Sequence, residues 1–235
     1  MDKYSVISRI ENFAPPETAE EWDCSGWLVE TNKKEISKIM LALTVTDDIV
    51  KQAEQSNCDM IISHHPLFEI PTSYKNTNIY CAHTNMDIAA GGTTDSLIEK
   101  LMAFGLTVKE KSIAENNFVR YVKTEIAENE LLTILSKISP NLRYVNKNSV
   151  KNFKLLAFCA GSGSEFINEA SKYGADGYIT GDLKFHTALD SKIPVFDIGH
   201  FESEIQVLDV FKKLTETGIE VIQADEKSPF KTFGI

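Results

Sequence analysis

Cysteine is scarce in this chain, and its placement carries no chemistry. The four thiols, Cys24, Cys58, Cys81 and Cys159, stand far apart and form no CxxC pair. That spacing suits reduced thiols better than a disulfide framework or a cysteine zinc site. Long apolar runs are missing too: nothing approaches the roughly 18 residues needed to span a bilayer. The first twenty residues, MDKYSVISRIENFAPPETAE, lack the basic start and apolar stretch of a secretory signal, so the expected location is the cytoplasm. Positive charge is also in short supply. Lys and Arg total 24 against 34 Asp and Glu, a formal net charge of −10. Such a surface disfavours nucleic acid and anionic lipid as partners, while leaving room for a local basic pocket that takes one small anion. The remaining composition, 43% hydrophobic and 25% charged over 235 residues, is ordinary for a globular protein and excludes disorder, collagen and coiled coil. The length allows one large domain or two modest ones.

What is present is a repeat. KIMLALTVTDDIVKQAEQSNCDMIISHH (38–65) reads as strand, helix, strand, with Ile49, Val50 and Ala53 on one helix face and a short apolar run at Met60–Ile62. LLAFCAGSGSEFINEASKYGADGYITGD (155–182) has the same plan at an offset of 117, so that Phe166, Ile167 and Ala170 match the first copy's apolar face. The register continues from IYCAHTNMD (79–87) to FDIGHFESE (196–204), pairing His83 with His200 and Asp87 with Glu204. Further on, LMAFGLTV (101–108) matches LTETGIEV (214–221) at an offset of 113, which puts four extra residues in the first copy near Ala89–Gly92. FVRYVKTE (118–125) alternates like a strand, and ELLTILSKI (130–138) reads as a short helix stopped by Pro140. Both are attributed to the first half of the chain. The expected fold is therefore α/β, in the mixed α+β sense: two related lobes, 1–125 and 126–235, each a mixed sheet flanked by helices. The lobes are expected to form a single compact unit, with the site at their seam.

Three short stretches carry candidate ligands. His64 and His65 follow the apolar run directly and precede Pro66, which keeps His65 extended. The C-terminal end of a strand opens onto the ligand crevice of an α/β sheet. The bland alternative is a pair of solvated loop histidines. His200-Phe-Glu-Ser-Glu204 opens a helical run in which positions i and i+4 share a face, so His200 and Glu204 can grip one ion while Glu202 points elsewhere; alternatively this is a helix start with ordinary acidic residues. His83-Thr-Asn-Met-Asp87 precedes Gly91-Gly92-Thr93-Thr94-Asp95, a tight turn in which Thr93 or Thr94 can cap the next helix. Each stretch is weak alone. Together, His64, His65, Asp87, His200 and Glu204 form a mixed nitrogen and oxygen set suited to Zn, Mn, Fe, Co or Ni. Five ligands exceed the three of an open catalytic zinc and fit two divalent ions about 3.5–4 Å apart. In TGDLKFHTALD (180–190), Asp182 takes the place His65 holds in the first copy, and Lys184 and His186 are candidates for substrate contact or ligand orientation. Trp22-Asp23-Cys24-Ser25-Gly26 is either a turn with a packed tryptophan or a wall of the site.

Read in order, WDCSGWLV (22–29), DMIISHHPLFE (59–69), AHTNMDIAAGGTTDSL (82–97), AGSGS (160–164), TGDLKFHTALD (180–190), DIGHFESE (197–204) and SPF (228–230) resemble the Nif-three-like (NGG-one-interacting factor three) dinuclear metal-binding family. Its members are often described as GTP cyclohydrolase I type 2 homologues. The resemblance covers nearly the whole chain. It implies metal ligation by His64, His65, Asp87, His200 and Glu204, and a homohexamer built as a trimer of dimers with the metal sites facing an internal cavity. Two positions depart from the family pattern: Cys24 and Thr94 each stand where asparagine is more usual. Neither is an expected ligand, but both put substrate contacts in doubt. The chain lacks room for the extra central domain of the longer members.

The expected function is that of a metal-dependent hydrolase resembling GTP cyclohydrolase I type 2. In this reading, water activated by two metals opens the guanine ring of GTP and a second hydrolysis releases formate. His83 or His186 would carry protons, and Lys184 would hold a phosphate. The alternatives are a phosphoester hydrolase with a dinuclear centre and a non-enzymatic metal-binding or interaction protein. Fold alone does not decide among them.

Overall fold

The computed structural model describes residues 1–231. In chain order its elements are α1 (Lys3–Phe13), β1 (Gly26–Val29), β2 (Lys38–Ala42), α2 (Asp47–Gln55), β3 (Met60–Ser63), β4 (Asn78–Cys81), α3 (Thr84–Ile88) and α4 (Thr93–Ala103). There follow β5 (Glu110–Ile113), β6 (Arg120–Ala127), α5 (Glu128–Ser136), β7 (Arg143–Val145), β8 (Asn152–Phe158), α6 (Ile167–Tyr173) and β9 (Gly177–Thr180). The last are α7 (Phe185–Asp190), β10 (Val195–Asp197), α8 (His200–Glu204), α9 (Val207–Thr215) and β11 (Glu220–Gln223). The fold is mixed α/β, with a five-stranded and a six-stranded sheet.

The first unit comprises Met1–Gly92 and Val207–Lys227. Its sheet runs β1-β4-β3-β2-β11, with the last four strands parallel and β1 antiparallel at the edge. Every residue of β3 and β4 is buried, as a parallel strand covered on both faces requires. α2 starts where Thr46 accepts a hydrogen bond from the Ile49 amide at 3.3 Å, and it turns Ile49, Val50 and Ala53 inward. These pack against Met40, Ile61 and Ile79. Burying side chains of this size contributes about 1.5–3 kcal/mol each before entropy is charged against it. The level register matters most for function. Ser63 lies opposite Cys81, so β3 and β4 end side by side and release His64 and Ala82 at the same edge.

The second unit comprises Thr93–Gln206 and the chain from Ser228. Its sheet runs β5-β6-β8-β9-β10-β7, with β8, β9 and β10 parallel and the outer pairings antiparallel. β9 has the bounds of β3 at the 117 offset, and α8 follows β10 as α3 follows β4. The linker is longer in the first copy, though by two residues rather than the expected four: 89–92 separate α3 from α4, and 205–206 separate α8 from α9.

The units do not part at residue 125, which lies inside β6. That strand pairs with β8 from Arg120 opposite Phe158 to Ala127 opposite Asn152, and α5 buries Leu131, Ile134 and Leu135 beside Phe153. Both elements attributed to the first half therefore belong to the second unit. Conversely, β11 returns to pair with β2, Glu220 opposite Lys38, and brings α9 with it. Each copy of the repeat thus donates its C-terminal helix and the strand after it to the unit built on the other copy. Chain order alone hides this exchange, because the pairings are set by contacts far apart in sequence.

Candidate metal centre

In the first unit, three imidazoles gather where β3 and β4 end. The ring centroids of His64 lie 5.2 Å from those of both His65 and His83, and His65 and His83 are 5.7 Å apart. Each offers a nitrogen within 4.8 Å of the others'. His64 is fully buried, and its Nδ1–H donates to the Ala82 carbonyl at 3.0 Å. A carbonyl can only accept, so the neutral ring carries its lone pair on Nε2. That nitrogen faces Asp87 Oδ1 at 3.4 Å. His65 Nδ1 shares a hydrogen bond of 2.6 Å with the Thr44 hydroxyl. The amides of Leu43 and Thr44 in turn donate to the Glu226 carboxylate. Burial pushes the Glu226 pKa up, and these two hydrogen bonds oppose the rise without cancelling it.

His83 is fixed by Asp23. The His83 Nδ1–H donates to Asp23 Oδ1 at 3.0 Å, while Asp23 also accepts from the Cys24 amide, the Ser25 hydroxyl, and the Thr84 amide and hydroxyl. Burial alone would raise the Asp23 pKa; hydrogen bonds from His83 and Thr84 outweigh it and hold the group well below the usual carboxylate range. An ionised carboxylate on Nδ1–H fixes tautomer and ring orientation, as metal-ligating histidines require. Of the two readings of the 22–26 stretch, the wall of the site is the better description, and Asp23 is its working residue. The signal available in sequence was only an aspartate beside a tryptophan.

The second unit carries the donor pair His200 and Glu204. α8 is one helical turn, and its i, i+4 spacing sets His200 Nε2 2.9 Å from Glu204 Oε2. His200 Nδ1 meets Asp182 Oδ2 at 2.7 Å. Asp182 sits in the left-handed region at φ 52°, uncommon for a residue with a Cβ and typical of functional turns. It meets the His200 ring, and the N-cap of α7 is Lys184. Burial pushes the His200 pKa down, but the two carboxylates outweigh it and raise the group to about 9. Glu204 is buried, and room for its carboxylate is made at Gly161, φ 66°, where a Cβ would overlap Glu204 Oε1. The Gly161 amide donates to Ser203 Oγ at 2.9 Å, and the neighbouring Ala160 amide donates to Thr94 Oγ1 at 3.1 Å. The AGSGS stretch is thus a backbone cradle for the Glu204 carboxylate, and Thr94 pins it.

Lys184 and His186 are both exposed; the His186 ring lies 5.3 Å from that of Phe185. Neither belongs to a group of donors that converge among the described residues. His83, expected as a proton carrier, stands as a third imidazole beside His64 and His65. The donor chemistry of both sets, imidazole nitrogens with carboxylates alongside, fits a divalent transition ion, which at His200 must displace a proton.

The chain is a duplicated α/β fold whose parallel strands end in imidazole and carboxylate groups with the donor chemistry for a metal ion. It belongs to the Duf34/NIF3 (NGG1p interacting factor 3) family, whose model matches residues 1–229. A Clostridium perfringens protein named GTP cyclohydrolase 1 type 2 homolog is 33% identical, with 96% of this chain and 97% of the relative covered. NIF3-like protein 1 of Drosophila melanogaster is 28% identical, covering 97% and 88%. Among solved structures, reduced HcgD from Methanocaldococcus jannaschii superposes with a TM-score of 0.82 at 28% identity, covering 96% of this chain and 98% of that one. Among the described residues no helix is long and apolar enough to cross a membrane.

Proposed function

We propose that the chain is a metal-dependent hydrolase that opens the guanine ring of GTP. In this reading His64, His65, Asp87, His200 and Glu204 are the ligands of a pair of divalent cations. The observation that carries the reading is the trio of imidazoles with nitrogens within 4.8 Å, two of them with Nδ1–H committed to a fixed acceptor. The relatives' name, GTP cyclohydrolase 1 type 2 homolog, supports the choice of substrate. When bound, such ions supply Lewis acidity that makes water nucleophilic near neutral pH.

The chain's own groups have distinct tasks. His64 and His65 present nitrogens whose orientation is set by Ala82 and Thr44. His83, oriented by Asp23, accepts the proton of the attacking water at Nε2. The chemistry consumes two waters and no electrons. The first adds at C8 and opens the five-membered ring to a formamide; the second cleaves the formamide to formate and an amine. A homohexamer and a cytoplasmic location belong to the same proposal. The test is to incubate metal-loaded protein with GTP and measure formate. Metal-dependent formate release that is lost in His64→Ala supports the reading. Release of phosphate instead, or no product with any divalent ion, overturns it.

A further inference from the structure

Beside His200 the second unit holds a cavity of about 300 Å³, near the lower bound for small-molecule sites. Glu202 and His200 both line this cavity, and the Glu202 carboxylate lies against Gly199, another lining residue. Among the described residues the Glu202 carboxylate has no hydrogen-bond donor and no ion-pair partner; only its backbone carbonyl is engaged, by Gln206. Ser228 Oγ, also on the wall, is buried without a hydrogen-bond partner among the described residues. A carboxylate and a hydroxyl left unserved in a cavity are groups waiting for a ligand. The rest of the lining supplies an aromatic ring and cations. Phe230 is 73% exposed, a large apolar side chain that folding leaves uncovered. Arg143 is steered by the Asp197 carboxylate and the Leu183 carbonyl, both through Nη2, and its side chain is otherwise open to solvent. Lys231 adds a second, exposed cation.

We propose that this cavity is a purine-nucleotide subsite that selects guanine through Glu202. The carboxylate is an acceptor on both oxygens. Guanine presents two adjacent donors, N1–H and the 2-amino group, and matches it. Adenine presents an unprotonated N1 on the same edge and is repelled. Phe230 covers the ring face, which every base can use and which therefore gives affinity without selectivity. Arg143 and Lys231 meet the phosphates, Arg143 with the fork geometry that suits them. Ser228 donates to the ligand from the wall. The choice of guanine rests on the hydrolase reading above, but the site itself is argued from the second unit alone.

The test is equilibrium binding of GTP, ATP and guanosine to the full chain with metal bound, with products checked by chromatography. Wild type is expected to prefer GTP over ATP, and Glu202→Gln to cut that preference by about tenfold or more, the size of one lost bidentate contact. Lys231→Ala, at an exposed position where folding is not at stake, is expected to weaken GTP and ATP equally and to leave guanosine unchanged. Formate release from GTP with an unchanged GTP preference in Glu202→Gln overturns this assignment and leaves the hydrolase reading standing. Glu202-dependent selection of GTP without turnover does the reverse. Equal binding of GTP and ATP by wild type also overturns it.

Discussion

An imidazole has two nitrogens, and a metal site needs to know which one is available. In this protein the answer is written by second partners: Ala82 for His64, Thr44 for His65, Asp23 for His83 and Asp182 for His200. Asp23 is the most heavily engaged of these, and its removal tests the principle at one residue. Asp23→Asn keeps the shape but loses the charge that fixes the His83 tautomer. The expected result is a fall in kcat for GTP of one to two decades, with metal content unchanged, read by steady-state kinetics beside elemental analysis. His83→Ala is expected to cost about 10²–10⁴ in kcat if the ring carries the proton. Loss of bound metal in the same variant would make His83 a ligand instead. His200 gives a pH prediction. Its pKa is raised in the folded, metal-free protein to about 9, so the stability it contributes is fully present below about 6.5 and is lost as pH rises through 9. A metal must displace that proton, so apparent affinity is expected to climb between pH 6.5 and 9 and to level off above it. Titration with zinc across that range checks the slope; a flat profile would contradict the assignment of His200 as a ligand.

At the scale of elements, the strands aim the ligands and the loops make room for them. The loop after β8 is the sharpest case, because a Cβ at Gly161 would overlap the Glu204 carboxylate. Gly161→Ala is expected to displace Glu204, lowering bound metal severalfold while the far-ultraviolet circular dichroism stays that of the parent. Retained metal in that variant would mean the carboxylate has another place to go. α4 is anchored differently. Asp95 on its first turn pairs with Arg120 Nε at 2.7 Å, and both side chains are buried. Asp95→Ala would leave the Arg120 charge without its main compensation, which costs about 3–5 kcal/mol for a buried pair broken on one side. Urea denaturation measures this directly, and a loss under 1 kcal/mol would show that Lys111 or water takes over. Since α4 carries Thr94, and Thr94 holds the Ala160 amide, the same change is expected to loosen the Glu204 cradle.

For the whole molecule, the repeat was legible and the partition was not. Strand and helix periodicities are local, so the 117 offset located β3, β9 and the ligand stretches that follow β4 and β10. Which sheet a strand joins depends on partners tens of residues away, and so β6 and β11 were assigned by chain order and landed in the wrong unit. The site shows the same division. The candidates Asp87, His200 and Glu204 stand out because the two copies match at His83/His200 and Asp87/Glu204, and His64 and His65 because they follow an apolar strand directly. Asp23 does not, since its partners His83 and Thr84 lie about 60 residues on and only the fold brings them together.

The central claim is that these donors hold divalent metal, and metal stoichiometry in single variants tests it most directly. Elemental analysis of wild type, His64→Ala and Glu204→Gln after identical loading and dialysis gives ions per chain for each. The account predicts about two for wild type and a marked loss in both variants. Wild type that retains no metal, or variants that keep its full content, would contradict the claim.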